Sequence, residues 1–141
     1  LRVEFVERMV ARSLEEAASI LGISPADILK SLVVKRSDDT FLFALVPGDR
    51  QISWPKLRAV VGVNKLQLPA PEVARAATGY ERGTITPLGS TTAWPVYVDA
   101  TVVGAPGRRV SMGAGEHGYS LFVDADELVA ALGATVADIT E

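Results

Sequence analysis

The sequence predicts an α+β fold with a mixed or antiparallel central sheet and flanking helices. Short apolar segments alternate with short amphipathic ones, and their order does not follow a strict βαβ repeat. Hydrophobic residues make up 48% of the 141 residues, which is enough apolar mass for a packed core. There is no internal repeat or low-complexity linker, so we expect a single domain over residues 1–141. Its N-terminus is expected to be incomplete, because Leu1 is not a start methionine.

Helix ends are indicated by capping residues. Ser13 with Glu16, and Asp124 with Glu127, have the spacing of a capping box, and glycines follow at the expected ends. Ser24 followed by Pro25 is typical of a helix start. Helices are therefore predicted from Ser13 to Gly22, after Ser24, from Ser53 to Gly62, over Pro71–Ala77 and from Asp124 to Gly133.

Strands are predicted where β-branched and aromatic residues cluster between turn residues. The polar turn Ser37–Thr40 separates two such segments, which predicts a hairpin. Residues Glu81–Trp94 are rich in glycine and proline and are predicted to form a loop. The predicted strands begin at Val3 and cover Leu32–Val34, Phe41–Val46, Lys65–Leu68, Val96–Asp99, Arg109–Met112, Tyr119–Val123 and Thr135–Ile139.

Composition excludes several classes of chemistry. There is no cysteine, which excludes disulfides, thiolate metal sites and a thiol nucleophile, and fits a reducing compartment. The single histidine lies in a glycine-rich loop, a poor platform for the rigid base of a Ser-His-Asp triad. Walker A and G-x-S-x-G motifs are absent. We expect no metal and no cofactor. The net charge of −3 disfavours binding along a nucleic acid but not at its tip.

The stretch Gly113–Gly118 matches G-x-G-x-x-G literally. A dinucleotide site needs a helix after this motif, whereas a strand is predicted here, so we reject that reading. Two interpretations of Gly113–Gly118 stay open. From this stretch alone, a flexible hairpin turn is favoured over a loop whose backbone N–H groups face a ligand.

Lys30, the loop Gly83–Gly89 and Asp99 are further candidates for a site. Lys30 lies between a predicted short helix and a predicted strand, where it is either a residue that extends to solvent, the commoner case, or a cation at the mouth of a cleft. The loop combines a proline of fixed φ with two permissive glycines, which suits a shaped pocket wall. Asp99 is either catalytic or, more commonly, the cap of a turn.

Taken in order, several segments resemble the YbaK/ProX family of aminoacyl-tRNA deacylases, whose fold is also that of the editing insertion of bacterial prolyl-tRNA synthetase. The resemblance covers nearly the whole chain from about Ser13. No single segment is specific, but the ordered set is. The matching segments are 17–22, 28–33, 46–49, 57–62, 78–80, 83–89, 98–99, 115–118 and 134–139.

The resemblance implies hydrolysis of the ester that joins an amino acid to the terminal ribose of tRNA. Lys30 matches the family's essential lysine and is expected to be catalytic, holding the 3′-terminal nucleotide and favouring the negative charge of the transition state. The base is expected to be a substrate group acting on water. Substrate-binding residues are expected to be Ser31, Gly83, Ile85, Thr86, Pro87, Gly89, Gly115, His117 and Gly118.

Three features depart from the family pattern. Ser31 stands where threonine or asparagine is usual, and Ser120 stands where several members have an acidic residue. The Met112–Ala114 stretch is longer than is typical. These differences bear on which amino acid is removed rather than on the fold.

Three functional hypotheses follow. The first is a trans-editing hydrolase in the cytoplasm, whose partners are the acceptor end of mischarged tRNA and an aminoacyl-tRNA synthetase, with no membrane contact. The second is a non-catalytic module of the same fold that binds tRNA ends or a synthetase. The third, favoured by the acidic net charge, is a hydrolase or binder of another small acylated molecule. The presence of Lys30 favours the first.

Overall fold

Helices and strands alternate irregularly along the chain. The computed structural model describes residues 1–141. Short 3₁₀ turns cover 25–27, where the sequence predicts a helix, and 100–102. The elements are β1 (Val3–Glu7), α1 (Leu14–Leu21), β2 (Leu29–Arg36), β3 (Phe41–Pro47), α2 (Trp54–Val61), β4 (Leu66–Gln67), α3 (Pro71–Thr78), β5 (Val96–Asp99), β6 (Arg109–Gly113), β7 (Tyr119–Asp124), α4 (Ala125–Leu132) and β8 (Thr135–Ala137). The predicted α+β class is confirmed.

The strands are divided between two sheets, which the sequence does not predict. One is antiparallel with the order β1-β7-β6. The other is mixed, with the order β4-β2-β3-β5-β8, in which β3-β5 and β5-β8 are parallel pairs. A single parallel bridge between Ile28 and Ser111 joins the two sheets.

Strand β3 is the centre of the core, because all of its residues are buried. One of its faces packs in a cluster with β6, β7, α3 and α4, and the other packs in a smaller cluster with Leu57 of α2 and Ile139. Burial on both faces explains why its sequence is continuously apolar rather than alternating. The predicted strand at this position is confirmed.

Strand β2 has an open edge. It pairs with β3 along its whole length, but on its other side β4 pairs only with Lys35 and Arg36. Continuing that register would place Pro69 opposite Val33, and proline has no N–H to donate to the next carbonyl. The ladder therefore ends, and the middle of β2 has no strand partner on this side.

The phase of the β2–β3 hydrogen bonds determines which peptide groups face the open edge. Gly48 N donates to Ile28 O at 2.7 Å, and Arg36 N donates to Thr40 O at 2.8 Å. In an antiparallel ladder these bonds alternate, so the even-numbered residues of β2 bond to β3. The peptide groups of Ser31 and Val33 consequently point away from β3, towards the open side.

Tyr80 contacts both glycine-rich loops: the first loop, Gly83–Gly89, and the second loop, Gly113–Gly118. Its hydroxyl donates to Leu88 O at 2.7 Å, which ties it to the loop Gly83–Gly89. A Cβ added to Gly115 would lie 2.7 Å from the Tyr80 ring, so the second loop packs closely on the same side chain. Gly115 N also donates to Thr84 O at 2.9 Å. Tyr80 and this hydrogen bond fix the two loops relative to each other.

Asp99 ties β5 to the C-terminal segment. It is 1% exposed, and its carboxylate accepts hydrogen bonds from Ile139 N at 3.0 Å, from Thr140 Oγ1 at 3.1 Å, and from the backbone and hydroxyl of Thr101. Burial alone would raise the pKa of Asp99, but these hydrogen bonds outweigh it and hold the pKa below its ordinary value. The capping interpretation of Asp99 is confirmed by these contacts.

We expect Asp99→Ala to lower the free energy of unfolding by about 3 kcal/mol, because it leaves buried donors without an acceptor. Because the pKa is lowered on folding, the stabilisation is complete above the ordinary aspartate pKa of 3.8 and is lost as pH falls through the lower folded-state value. Urea titrations at neutral and acidic pH measure both effects. Asp38→Ala is the control for burial, because Asp38 is exposed, accepts hydrogen bonds from Thr40 and also has a lowered pKa. Equal losses in the two variants would contradict this role of Asp99.

The Tyr80 brace is tested by comparing two glycines of similar conformation. Gly115 and Gly104 have φ values of +84° and +94°, but only Gly115 has a neighbour within 4 Å of an added Cβ. Gly104→Ala should cost about 1–2 kcal/mol of unfolding free energy from backbone strain alone. Gly115→Ala should cost a further ~1–3 kcal/mol, because the methyl group overlaps the Tyr80 ring. Equal costs in urea unfolding would show that the contact is unimportant.

Candidate functional site

The open edge of β2 forms one wall of a cavity of about 620 Å³. The other walls are α1, the proline-containing segment 68–74, residues 82–85 of the first glycine-rich loop, and the β6 edge of the small sheet at 111–113. Half of its 24 lining residues are hydrophobic. Such a volume and mixed lining are typical of small-molecule sites.

Lys30 lies within β2 rather than at a helix–strand junction, because the strand begins at Leu29. Its Nζ donates to Arg50 O at 2.5 Å, and it lines the cavity. Desolvation lowers the pKa of Lys30 from its ordinary value, and the negative charges of Asp49 and Glu15 offset part of this effect. Neither carboxylate forms an ion pair with the ammonium group. The cation is therefore partly desolvated and keeps donors free for a ligand.

Ser31 follows Lys30 and points to the opposite face of the strand, as alternation requires. Both nevertheless line the cavity, because the cavity wraps around the unpaired edge and not one face of the sheet. Ser31 Oγ is buried and has no hydrogen-bond partner in the protein. A buried hydroxyl without a partner is uncommon, and a ligand or water in the cavity would satisfy it.

Some predicted site residues come together at this cavity. They are Lys30, Ser31, Gly83 and Ile85. Gly83 has a φ of +87°, and neither its N–H nor that of Ile85 donates to a protein acceptor. The first glycine-rich loop therefore presents free backbone donors near the same cavity as Lys30. That these groups bind substrate stays a prediction.

The remaining predicted site residues lie outside the cavity lining: Thr86, Pro87, Gly89, Gly115, His117 and Gly118. Thr86 and Pro87 are buried members of the loop Gly83–Gly89. Gly115 uses its N–H to bond Thr84, so it is not free to bind an ester carbonyl. His117 is exposed, with Nε2 3.2 Å from Glu81 Oε2. The second glycine-rich loop therefore supports the first, and substrate binding by its residues stays a prediction.

Three arginines at the cavity were not predicted from the sequence. Arg8, Arg12 and Arg82 line it together with Lys30, and no aspartate or glutamate does. None of the four forms an ion pair, whereas Arg2, Lys35, Lys56, Arg75, Arg108 and Arg109 do so elsewhere. Arg8 and Arg12 are far from Lys30 in sequence, so no local motif indicated their convergence. Only Arg82 had a signal in the sequence, because it directly precedes Gly83 of the predicted pocket loop.

Besides Ser31, the two other departures from the family pattern lie at the cavity: Ser120, and the Met112–Ala114 stretch through Met112 and Gly113. Ser120 is buried and pairs in register with Gly113 of the β6–β7 hairpin. A Cβ on Gly113 would lie 2.6 Å from Ile85 O, so glycine is needed for the hairpin to approach the first loop. The hairpin and the loop therefore share one boundary of the cavity.

The side chains of histidine, aspartate and glutamate form no group of three that could hold a metal ion. None of the helices has the length and apolar character needed to cross a bilayer.

Relatives of known sequence include prolyl-tRNA synthetases. The chain is 33% identical over 103 residues to Proline–tRNA ligase of Heliobacterium modesticaldum, covering 73% of this chain and 18% of the ligase. It is 36% identical over 86 residues to the Thermosipho melanesiensis ligase, covering 61% of this chain and 15% of that protein. The chain thus spans less than a fifth of the length of these relatives.

Solved structures match over a greater length. A proposed trans-editing enzyme for prolyl tRNA synthetase has a TM-score of 0.89 and 31% identity, covering 99% of this chain and 87% of that one. A hypothetical protein has a TM-score of 0.91 and 27% identity, covering 100% and 93%. The profile of the aminoacyl-tRNA editing domain matches residues 10–131. The chain therefore belongs to the aminoacyl-tRNA editing domain family.

Proposed function

We propose that this chain is an aminoacyl-tRNA deacylase that acts in the cytoplasm on the acceptor end of mischarged tRNA, in partnership with a synthetase. The observation that carries the proposal is the charge distribution of the cavity. Four cationic residues line it, and no carboxylate does, although the chain as a whole has a net charge of −3. A site with this lining favours an anionic ligand.

Size and polarity support an aminoacyl nucleotide as the ligand. The volume of about 620 Å³ suits a nucleoside that carries an amino acid. The apolar walls from α1, Val33 and Met112 would accept the side chain, and the cations would hold the nucleotide. A rigid apolar pocket discriminates side chains mainly by excluding larger ones, since one methylene is worth only about 1–3 kcal/mol.

The chemistry needs few groups from the protein. An aminoacyl ester is already activated, so water attacks its carbonyl carbon, an oxyanion forms, and the carbon–oxygen bond to the ribose breaks. In the proposal, the Lys30 ammonium group and the free N–H of Gly83 stabilise the oxyanion. In the proposal, the neighbouring ribose hydroxyl relays a proton: it accepts one from the attacking water and passes its own to the ribose oxygen that leaves. The products are the free amino acid and the unacylated ribose.

We expect Lys30→Met to reduce deacylation of mischarged tRNA by about 10²–10³-fold, the usual cost of losing one oxyanion-stabilising group. The fold should be kept, because a lysine whose pKa is lowered by burial destabilises the folded state while it is charged. That penalty is present at neutral pH and is relieved as pH rises from the folded-state pKa towards 10.5. Initial rates with a panel of mischarged tRNAs, and Tm, measure these effects.

Lys65→Met is the matched control, because Lys65 is exposed, forms no ion pair and lies outside the cavity. Wild-type rates are expected for it. Full activity of Lys30→Met would contradict the proposed site. If the wild-type protein binds tRNA ends but hydrolyses no ester in the panel, the non-catalytic alternative is favoured instead. If the protein neither binds nor hydrolyses any tRNA in the panel, another small acylated molecule is favoured as its substrate or ligand.

A further inference from the structure

Arg8 is held at the cavity by contacts that orient its guanidinium group. The residue follows β1, and its backbone N–H donates to Gly118 O at 2.8 Å. Its Nε donates to Ser120 Oγ at 2.7 Å, and one terminal nitrogen donates to Met9 O at 2.9 Å. Ser120 is 4% exposed, so this hydroxyl is a fixed anchor. The other terminal nitrogen has no protein partner.

No carboxylate neutralises this group. Arg8 is absent from the ion pairs of the structure, and the neighbouring Arg12 of the cavity lining also forms none. A partly buried, oriented guanidinium group without a counter-ion is suited to bind a phosphate, whose oxygens match the fork of its N–H groups. A mobile surface arginine would lose more conformational entropy on binding.

We infer that Arg8, oriented by Ser120 and assisted by Arg12, binds a phosphodiester of the single-stranded 3′ end of an RNA. This inference rests on the proposed function, since it states how the RNA part of the substrate is held while Lys30 acts at the ester. Ser120 is a positioning residue in this arrangement. A carboxylate at position 120 would pair with Arg8 and neutralise it.

The test compares an RNA that has phosphodiesters with a substrate that has none. The first probe is a fluorescent RNA minihelix that ends in CCA, whose Kd is measured by anisotropy at several salt concentrations. The second is the deacylation of 3′-O-aminoacyl-adenosine, which carries the same amino acid as a tRNA that the protein hydrolyses. Arg8→Ala and Ser120→Asp are the variants, with Tm as the check of folding.

Arg8→Ala should weaken binding of the minihelix about tenfold, the usual size of one lost charged hydrogen-bond contact. The slope of log Kd against log salt should fall by about 0.7, the value for one phosphate contact to a single strand. Ser120→Asp should weaken binding similarly. The kcat/KM for aminoacyl-adenosine, which has no phosphodiester, should fall by a smaller factor than the RNA affinity in both variants. Arg58→Ala removes an unpaired arginine of α2 outside the cavity and should leave all these values at wild type.

An unchanged RNA affinity and salt slope in Arg8→Ala would overturn the phosphate site while leaving the deacylase proposal intact. Equal losses on RNA and on aminoacyl-adenosine would also overturn it, because Arg8 would then act by shaping the cavity. Binding of RNA that depends on Arg8, with no turnover of any ester, would instead overturn the deacylase proposal alone.

Discussion

The cavity depends on one constraint: the pairing of β4 with β2 ends after two residues. Pro69 has no N–H to continue the β4–β2 ladder, so the middle of β2 stays open and its peptide groups at Ser31 and Val33 face a cavity. A buried strand edge is unfavourable unless something else satisfies its backbone groups. A bound substrate with donors and acceptors of its own would satisfy them. The same edge places Lys30 on the lining of this cavity.

Electrostatics and packing have separate roles around this edge. The cations on the cavity lining lack carboxylate partners, which keeps their charge available for a polyanionic ligand. The loops are fixed by neutral contacts instead, through the Tyr80 hydroxyl and the bond from Gly115 N to Thr84 O. Because none of the four cavity cations forms an ion pair, a ligand does not compete with a carboxylate of the protein for them.

Sequence patterns predict the elements of this fold better than their assembly. Capping residues and apolar segments locate most helices and strands within a few residues, because those signals are local. Lys30 was placed between a helix and a strand because the strand was predicted to begin only at Leu32, whereas β2 begins at Leu29. The division into two sheets, and the approach of Arg8 and Arg12 to Lys30, depend on long-range pairing that no local pattern encodes. The packing of the second glycine-rich loop on Tyr80 could not be predicted for the same reason.

The most direct test of this account is a crystal structure with a non-hydrolysable analogue, in which an amide replaces the ester of an aminoacyl-adenosine. We expect the amide to lie against the open edge of β2, with its carbonyl oxygen in hydrogen-bond reach of Lys30 Nζ and the amino acid side chain among the apolar walls. An analogue bound elsewhere, with the edge of β2 left unoccupied, would contradict the central claim.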